Sequence, residues 1–351
     1  MGTLRVALAL AVLLTHLPGA RYHFVGGGLA VQCFYVISGF YMALVLDGKY
    51  HDVGLFYSNR ILRLLPTYLV AMGLAAVALV CLGASATISW PTVLAVFRHP
   101  VAAVILGAEN LVVLGQELLF WFRVSTDGQF SFVPFVHPPS ESNPVAWQLL
   151  LVPQSWSLSM ELMFYALAPF LARLSSRRLL AVALGSVVVR LSGLWLALDY
   201  GLWQGRLFPT ALFLFLLGML AHRFLPLAAR LPRVTGWVAY GVVLALVVGY
   251  PLLPLPDEAG RWLVYGAVTA AVPLIFSVLR TSALDRWIGD LSYPIYLCHL
   301  IVVGLVLTYE PPFPAWLSIG GTLILAVTLL LFVEHPVERW RQARVARRHG
   351  H

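Results

Sequence analysis

The chain has 351 residues, 60% of them hydrophobic and only 11% charged, and its mean hydropathy is +0.85. A soluble fold cannot hide that much apolar surface, so the balance excludes an ordinary globular protein and points to a single integral membrane domain, residues 1–351. The net charge of +8 does not mark a nucleic-acid binder, because the basic residues stand in short clusters between apolar runs rather than in one solvated patch interleaved with aromatics.

Apolar runs long enough to cross a hydrocarbon core, roughly 20 helical residues each, recur from one end to the other. The first runs from Leu4 to Tyr22. A cleaved leader is its rival reading, but the run contains His16 and lacks a clear small-x-small cleavage site, so a first membrane helix is expected. Further runs lie at Leu29 to Leu46, Leu64 to Gly83, Trp156 to Leu174, Leu179 to Leu198, Leu207 to His222, Val234 to Leu253, Arg261 to Leu279, Leu291 to Tyr309 and Ala315 to Val333.

Between the third and fourth runs, Ser85 to Glu117 is apolar but interrupted by Pro91, Arg98, His99, Pro100, Glu109 and Asn110. If the stretch around 85–123 does not cross, one side receives Lys49, Arg60 and Arg63, then Arg177 and Arg178, then Arg223, Arg230 and Arg233, then Arg280 and Arg286, and the tail from Arg339 to Arg348. The positive-inside rule makes that side cytoplasmic. A single crossing would scatter the same clusters over both sides. The sequence therefore predicts an all-α integral membrane fold of about ten transmembrane helices. Both termini are cytoplasmic, a re-entrant or interfacial segment follows the third helix, and a basic tail occupies about 334–351. The longest polar segment, Ser125 to Gln154 with Asp127, His137 and Glu141, then faces the other side. Cys33, Cys81 and Cys298 show no metal spacing and read as buried free thiols.

Several polar residues stand where a bilayer makes them costly. Arg5 lies eleven residues before His16, close to three helical turns, so the two share roughly one face and can line one cavity. A lone intramembrane His can equally be a polar group satisfied by a neighbouring helix. In Phe56-Tyr57-Ser58-Asn59-Arg60-Ile61-Leu62-Arg63, the arginines are one turn apart; two guanidinium forks there either grip the phosphates of an anionic donor or snorkel to anchor a helix. Trp156-Ser157-Leu158-Ser159-Met160-Glu161 opens the fourth run, with a carboxylate just inside the bilayer. Arg190 is its candidate partner, an anion ligand, or half of a structural ion pair. His299 is near the middle of the ninth run, after Pro294, which is expected to kink that helix beside a cavity, although packing explains such a His as well. Glu334-His335-Pro336-Val337-Glu338-Arg339 reads as a helix stop at the interface.

Taken together these segments resemble the membrane acyltransferase-3 family, whose members O-acylate lipopolysaccharide, exopolysaccharides, nodulation factors and macrolides. The matching pieces are Leu4-Arg5 through His16, Phe34-Tyr35-Val36-Ile37-Ser38-Gly39-Phe40, Arg60-x-x-Arg63 with Pro66, Trp156 to Glu161 with Phe164-Tyr165, and Ser292-Tyr293-x-x-Tyr296-Leu297-x-His299. None is specific alone, but the ordered set spans nearly the whole chain. The resemblance implies about ten helices with both termini inside. It implies a membrane O-acyltransferase that takes an acyl group, acetyl from cytoplasmic acetyl-CoA above all, to a hydroxyl of an extracytoplasmic or lipid-linked saccharide. It makes Arg5 and His16 essential groups and Arg60 with Arg63 the family's basic motif.

The roles we attach are that Arg5, Arg60 and Arg63 hold the donor, while His16 acts as general base or transient acyl carrier and Glu161 orients the acceptor or tunes a base. Ser38, Tyr57, Trp156, Ser157, Arg190, Tyr296 and His299 are candidate cavity-lining residues, with Ser38-Gly39-Phe40 also suited to close helix packing. These residues contain no soluble SGNH-type hydrolase segment, so transfer is expected to finish within the membrane module. No metal or bound cofactor is expected, and acyl-CoA is a co-substrate. The partners are acyl-CoA, the saccharide and membrane lipids, with no nucleic acid; oligomeric state leaves no signature because lipid-facing and partner-facing surfaces look alike. The expected location is the bacterial inner (plasma) membrane, multi-pass. A transporter or flippase is the alternative, but it predicts an internal repeat with paired broken helices, which the sequence does not display. A glycosyltransferase would show an acidic pair such as Asp-x-Asp, and none stands in any loop.

Overall fold

The computed structural model describes residues 1–48, 52–134, 142–196, 198, 200–310 and 312–349, with side chains described up to residue 344 of the last segment. Lys49, His137, Glu141 and the side chains of the tail beyond Arg344 lie outside the described residues.

Each run expected to span is helical. In chain order the α-helices are α1 (Gly2–Thr15), α2 (Gly27–Gly48), α3 (Val53–Leu82), α4 (Trp90–Phe97), α5 (Pro100–Val112), α6 (Trp156–Ala172), α7 (Ser176–Trp195), α8 (Tyr200–Arg206) and α9 (Phe208–His222). They continue as α10 (Leu225–Ala228), α11 (Arg233–Gly249), α12 (Asp257–Leu279), α13 (Ala283–Asp290), α14 (Ser292–Tyr309), α15 (Ala315–Leu329) and α16 (His335–His349). Among the described residues, seven helical stretches have the length and composition to cross a bilayer: α2, α3, α7, α11, α12, α13 with α14, and α15 with α16. α1 and α9 are apolar but have only 14 and 15 residues, and α6 has 17. Side chains such as Val104, Val188 and Phe332 are exposed, as lipid-facing side chains are when the solvent is hydrocarbon. The chain is a multi-pass, helical membrane protein.

Four expectations need correction, each for a local reason. α1 stops at Thr15 rather than near Tyr22, because Pro18 has no N–H for the Leu14 carbonyl and pushes Leu17 away from helical dihedrals. Pro294 is the third residue of α14, and the interruption falls at Leu291, beside the Asp290 carbonyl that it cannot serve, so the break lies between α13 and α14 rather than inside the run from Leu291 to Tyr309. Glu334 to Arg339 is no helix stop: a π-helical turn, Leu330–Glu334, absorbs the carbonyl that Pro336 cannot serve and leads straight into α16. Cys33 and Cys298 are buried free thiols as expected, but Cys81 is exposed. A small departure from an all-α fold is the hairpin of β1 (Phe122–Val124) with β2 (Phe130–Phe132), antiparallel with Phe122 opposite Phe132.

The described residues form two compact units interleaved in sequence. The first comprises Met1–Tyr57, Phe164–Val187 and Ala211–Tyr296. Here α1 packs on α2, α11 and α13, and α12 packs on α2 and α11. The four orphan N–H groups at a helix start need acceptors, and a carboxylate at that end also meets the positive pole of the dipole. Asp285 of α13 supplies both to α1, accepting from Gly2 N–H at 2.8 Å and from Thr3 N–H and Thr3 Oγ1 at 3.1 Å each. At the other end Thr15 Oγ1 accepts the Gly27 N–H at 2.7 Å, capping α2. Gly39 of α2 and Gly218 of α9 let the two helices touch backbone to backbone: a Cβ on Gly39 would overlap the Phe215 carbonyl, and one on Gly218 the Val36 carbonyl.

The second unit comprises Ser58–Met163, Val188–Thr210 and Leu297–His351. α4 and α5 meet at a 118° bend. The cause is local: the residue before proline is barred from helical dihedrals, and His99, ahead of Pro100, is extended at φ −92°, ψ 117°. Beneath the bend lies an apolar core that includes Leu79, Val96, Leu106, Leu119, Leu149 and Leu150. Next to it Phe120 stacks on Trp147 and meets Trp156 edge-on.

Candidate active site

In the first unit the two residues expected of α1 lie at its opposite ends, roughly 16 Å apart along the axis at 1.5 Å per residue. Arg5 is half-buried one turn from the start; its guanidinium sits beside Gly289, where a Cβ would meet it at 3.6 Å. His16 is the C-cap and is exposed at the end of α1, not within a helix that continues to Tyr22. Its Nδ1 stands 2.8 Å from the Val12 carbonyl. A carbonyl can only accept, so Nδ1 must carry the proton of that bond, and the neutral ring then has its basic lone pair on Nε2. The next histidine, His23, makes the same kind of bond to the Leu14 carbonyl at 3.1 Å. Ser38 is half-buried, Tyr296 buried, and the half-buried Tyr57 donates through its hydroxyl to the Ala166 carbonyl at 2.8 Å.

The second unit holds the remaining candidates. Arg60 is buried at 7% exposure and Arg63 half-buried, on the same side of α3 and ahead of Pro66. Arg344 of α16 donates to Ser58 Oγ at 3.0 Å, bringing a further guanidinium to the start of this stretch. On α6, Ser157 is buried and Glu161, one turn on, half-buried, so both point along one face. Trp156 is half-buried beneath the Arg206 guanidinium, which lies 5.7 Å from its ring centroid and 4.0 Å from that of Phe120. Arg190 is almost wholly buried at 1% and donates to the Gln204 carbonyl at 2.5 Å, tying α7 to α8. His299 is fully buried in α14, and two residues before it the Leu297 carbonyl accepts from Gln154 Nε2 at 2.7 Å.

Sequence reasoning missed the polar network that holds the start of α6. Gln116 donates through Nε2 to the Glu109 carbonyl at 2.7 Å and accepts the Ser155 hydroxyl on Oε1 at 2.6 Å. Ser159 accepts the Gly115 N–H at 2.8 Å and donates to the Glu117 carboxyl. Tyr68 of α3 donates to the Asn110 carbonyl at 2.6 Å, while Asn110 Oδ1 accepts the Leu151 N–H at 2.8 Å. Burial holds the Glu117 carboxyl above the ordinary glutamate range, and the Ser159 hydroxyl pulls the other way. Beside this network Val113 adopts φ 68°, a strained conformation for a β-branched residue, fully buried where α5 ends. The signal was present in the sequence: Glu109, Asn110, Gln116 and Glu117 interrupt an apolar stretch, and such groups need partners inside the protein. It pointed to an interruption without saying what the groups bind.

A segment spanning residues 2–333 matches the acyltransferase-3 family, described as an acyltransferase domain. The chain belongs to that family. It is therefore a membrane acyltransferase, and the match takes in every helix from α1 to α15. Among individual relatives it is 28% identical over 325 residues to the "Putative membrane-bound transacylase BcsY" of Komagataeibacter xylinus, covering 88% of this chain and 75% of that protein. It is 25% identical over 338 residues to the "Exopolysaccharide production protein ExoZ" of Rhizobium meliloti (strain 1021), covering 92% of this chain and 93% of that protein. A "Putative O-acetyltransferase" of Staphylococcus aureus (strain COL) is 23% identical over 374 residues, covering 96% of this chain but 56% of that longer protein. No solved structure matches the chain.

Proposed function

We propose that this acyltransferase moves an acyl group, acetyl from cytoplasmic acetyl-CoA, onto a hydroxyl of an extracytoplasmic or lipid-linked saccharide, working in the bacterial inner membrane. The observation that carries the reading is the state of His16: an exposed imidazole at a helix end whose Nδ1 is committed to the Val12 carbonyl, leaving Nε2 as the basic atom. That atom either takes the proton of the acceptor hydroxyl as it attacks the thioester carbon, releasing the CoA thiol, or accepts the acyl group and passes it on. The names of the relatives that speak of exopolysaccharide production and O-acetyl transfer favour a saccharide acceptor and an acetyl group.

Arg60 and Arg63 act as donor-binding residues through bidentate contacts to phosphate, and Arg5 supports the donor from α1. Glu161, with Ser157 a turn before it, orients the acceptor. The topology that goes with this chemistry has about ten spans and both termini cytoplasmic, with α4 and α5 re-entrant. Their 118° bend and the arginines clustered in alternate loops support it. Purified protein in vesicles, given acetyl-CoA and an oligosaccharide, should form a hydroxylamine-labile ester on the sugar. Release of free CoA without any ester, for every saccharide tried, would defeat the acceptor assignment.

A further inference from the structure

A cavity of about 770 Å³ opens in the first unit where α2, α6, α9 and α12 end. Its wall is apolar at Leu44, Leu46, Met219 and Leu225, and its charged groups are Arg173, Arg223, Arg280 and Asp47. The arginines come from places far apart in sequence, so the fold, not a local basic run, gathers them. Arg223 is already oriented, donating to Ser176 Oγ at 2.7 Å and to the Leu174 carbonyl. Among the described residues the Arg173 and Arg280 side chains have no acceptor within the protein, and both are exposed. Three guanidiniums against a single carboxylate leave the cavity with an excess of positive charge.

Planar guanidinium forks suit phosphate oxygens bidentately, and a basic hollow between membrane helices is how phosphate headgroups are held. The volume exceeds what inorganic phosphate needs and lies in the range of small-molecule sites. Asp47 would repel a bare polyanion but accepts from a hydroxyl or amino group, while the apolar wall suits an uncharged body. We propose that this cavity is a binding site for an organic phosphate whose remainder carries hydroxyl or amino donors on an apolar frame. Two sources offer that chemistry: the nucleotide end of the acyl donor, which rests on the donor reading above, and a phospholipid of the leaflet on the basic-loop side.

The test uses the full chain in phosphatidylcholine nanodiscs, titrated with coenzyme A and, separately, with pantetheine, which lacks the phosphates. A second arm measures, by mass spectrometry, phosphatidylglycerol retained over phosphatidylcholine from mixed micelles. The variants are Arg173→Gln with Arg280→Gln, the charge-retaining Arg173→Lys with Arg280→Lys, and Arg233→Gln as a cation outside the cavity. One of the two phosphate ligands should weaken by about 10- to 100-fold in the Gln pair, less in the Lys pair, with pantetheine and Arg233→Gln unchanged. Weaker coenzyme A names the nucleotide; lost phosphatidylglycerol names the lipid. Unchanged behaviour of both ligands in a folded Gln pair overturns the site. Acetyl transfer that continues with an unmoved KM in that pair removes the nucleotide source alone, whereas a wild type inert toward acetyl-CoA removes the donor reading and leaves the lipid arm to decide.

Discussion

The ends of two helices, α1 and α6, carry the residues assigned to chemistry, and they are held in opposite ways. His16 closes α1 through a bond of its own ring to its own helix, exposed, where a proline two residues on ends the turn. The start of α6 is enclosed by side chains of the 3₁₀ segments Gln116–Trp121 and Pro153–Ser155, with Ser155 and Ser159 buried to 0%. A group that must reach a substrate can be presented, exposed, at a helix end, while a group that positions a substrate needs a frame. Substitution at His16 should therefore separate activity from stability, and substitution around α6 should not.

The largest expected effect is His16→Ala: a loss of about 10²- to 10⁴-fold in transfer rate, the usual contribution of a general base, with the melting temperature nearly unmoved. A variant that instead unfolds would place His16 in the frame and break the contrast. Next comes Arg60→Ala with Arg63→Ala, expected to raise KM for acetyl-CoA by about 10- to 100-fold, given ~1.5–3 kcal/mol for hydrogen bonds to charged groups. A fall in kcat at constant KM in steady-state assays would move these arginines from donor binding to the chemistry.

Ser159→Ala removes the acceptor of the Gly115 N–H and the donor to Glu117, and should cost about 1–3 kcal/mol of stability in a melting assay, with activity falling in step. The smallest effect concerns pH. A carboxyl held above its ordinary value stabilises the fold fully below the unfolded value and loses that contribution as pH rises through the folded one. Wild-type melting should therefore drop with rising pH across that window, and Glu117→Gln should flatten the drop; an equal slope in both proteins would show that Glu117 does not titrate there.

How much of this was legible follows from what each signal encodes. Apolar length marks the long spanning helices, because burying backbone in lipid leaves the chain little choice, so α2, α12 and α14 are plain from composition. Ends are harder. The run to Tyr22 passed over Pro18, and Pro336 read as part of a stop, yet Pro18 ended α1 early and Pro336 was absorbed by a π-helical turn, since the outcome depends on which carbonyl the proline fails to serve. His16, Glu161 and the Arg60–Arg63 pair stand out because a polar group in an apolar run is conspicuous. Gln116, Ser155 and Ser159 do not, because their partners are brought to them by the bend at His99 and the 3₁₀ turns, long-range geometry that no spacing rule reports.

The central claim is best tested with radiolabelled acetyl-CoA supplied to membranes carrying the wild type or His16→Ala, followed by recovery of the host saccharides. The account predicts alkali-labile label in the saccharide with wild type and none with His16→Ala. Saccharide that is acetylated in cells only when the chain is present, yet takes no label from acetyl-CoA in these membranes, would contradict it and make the chain a mover of molecules acylated elsewhere.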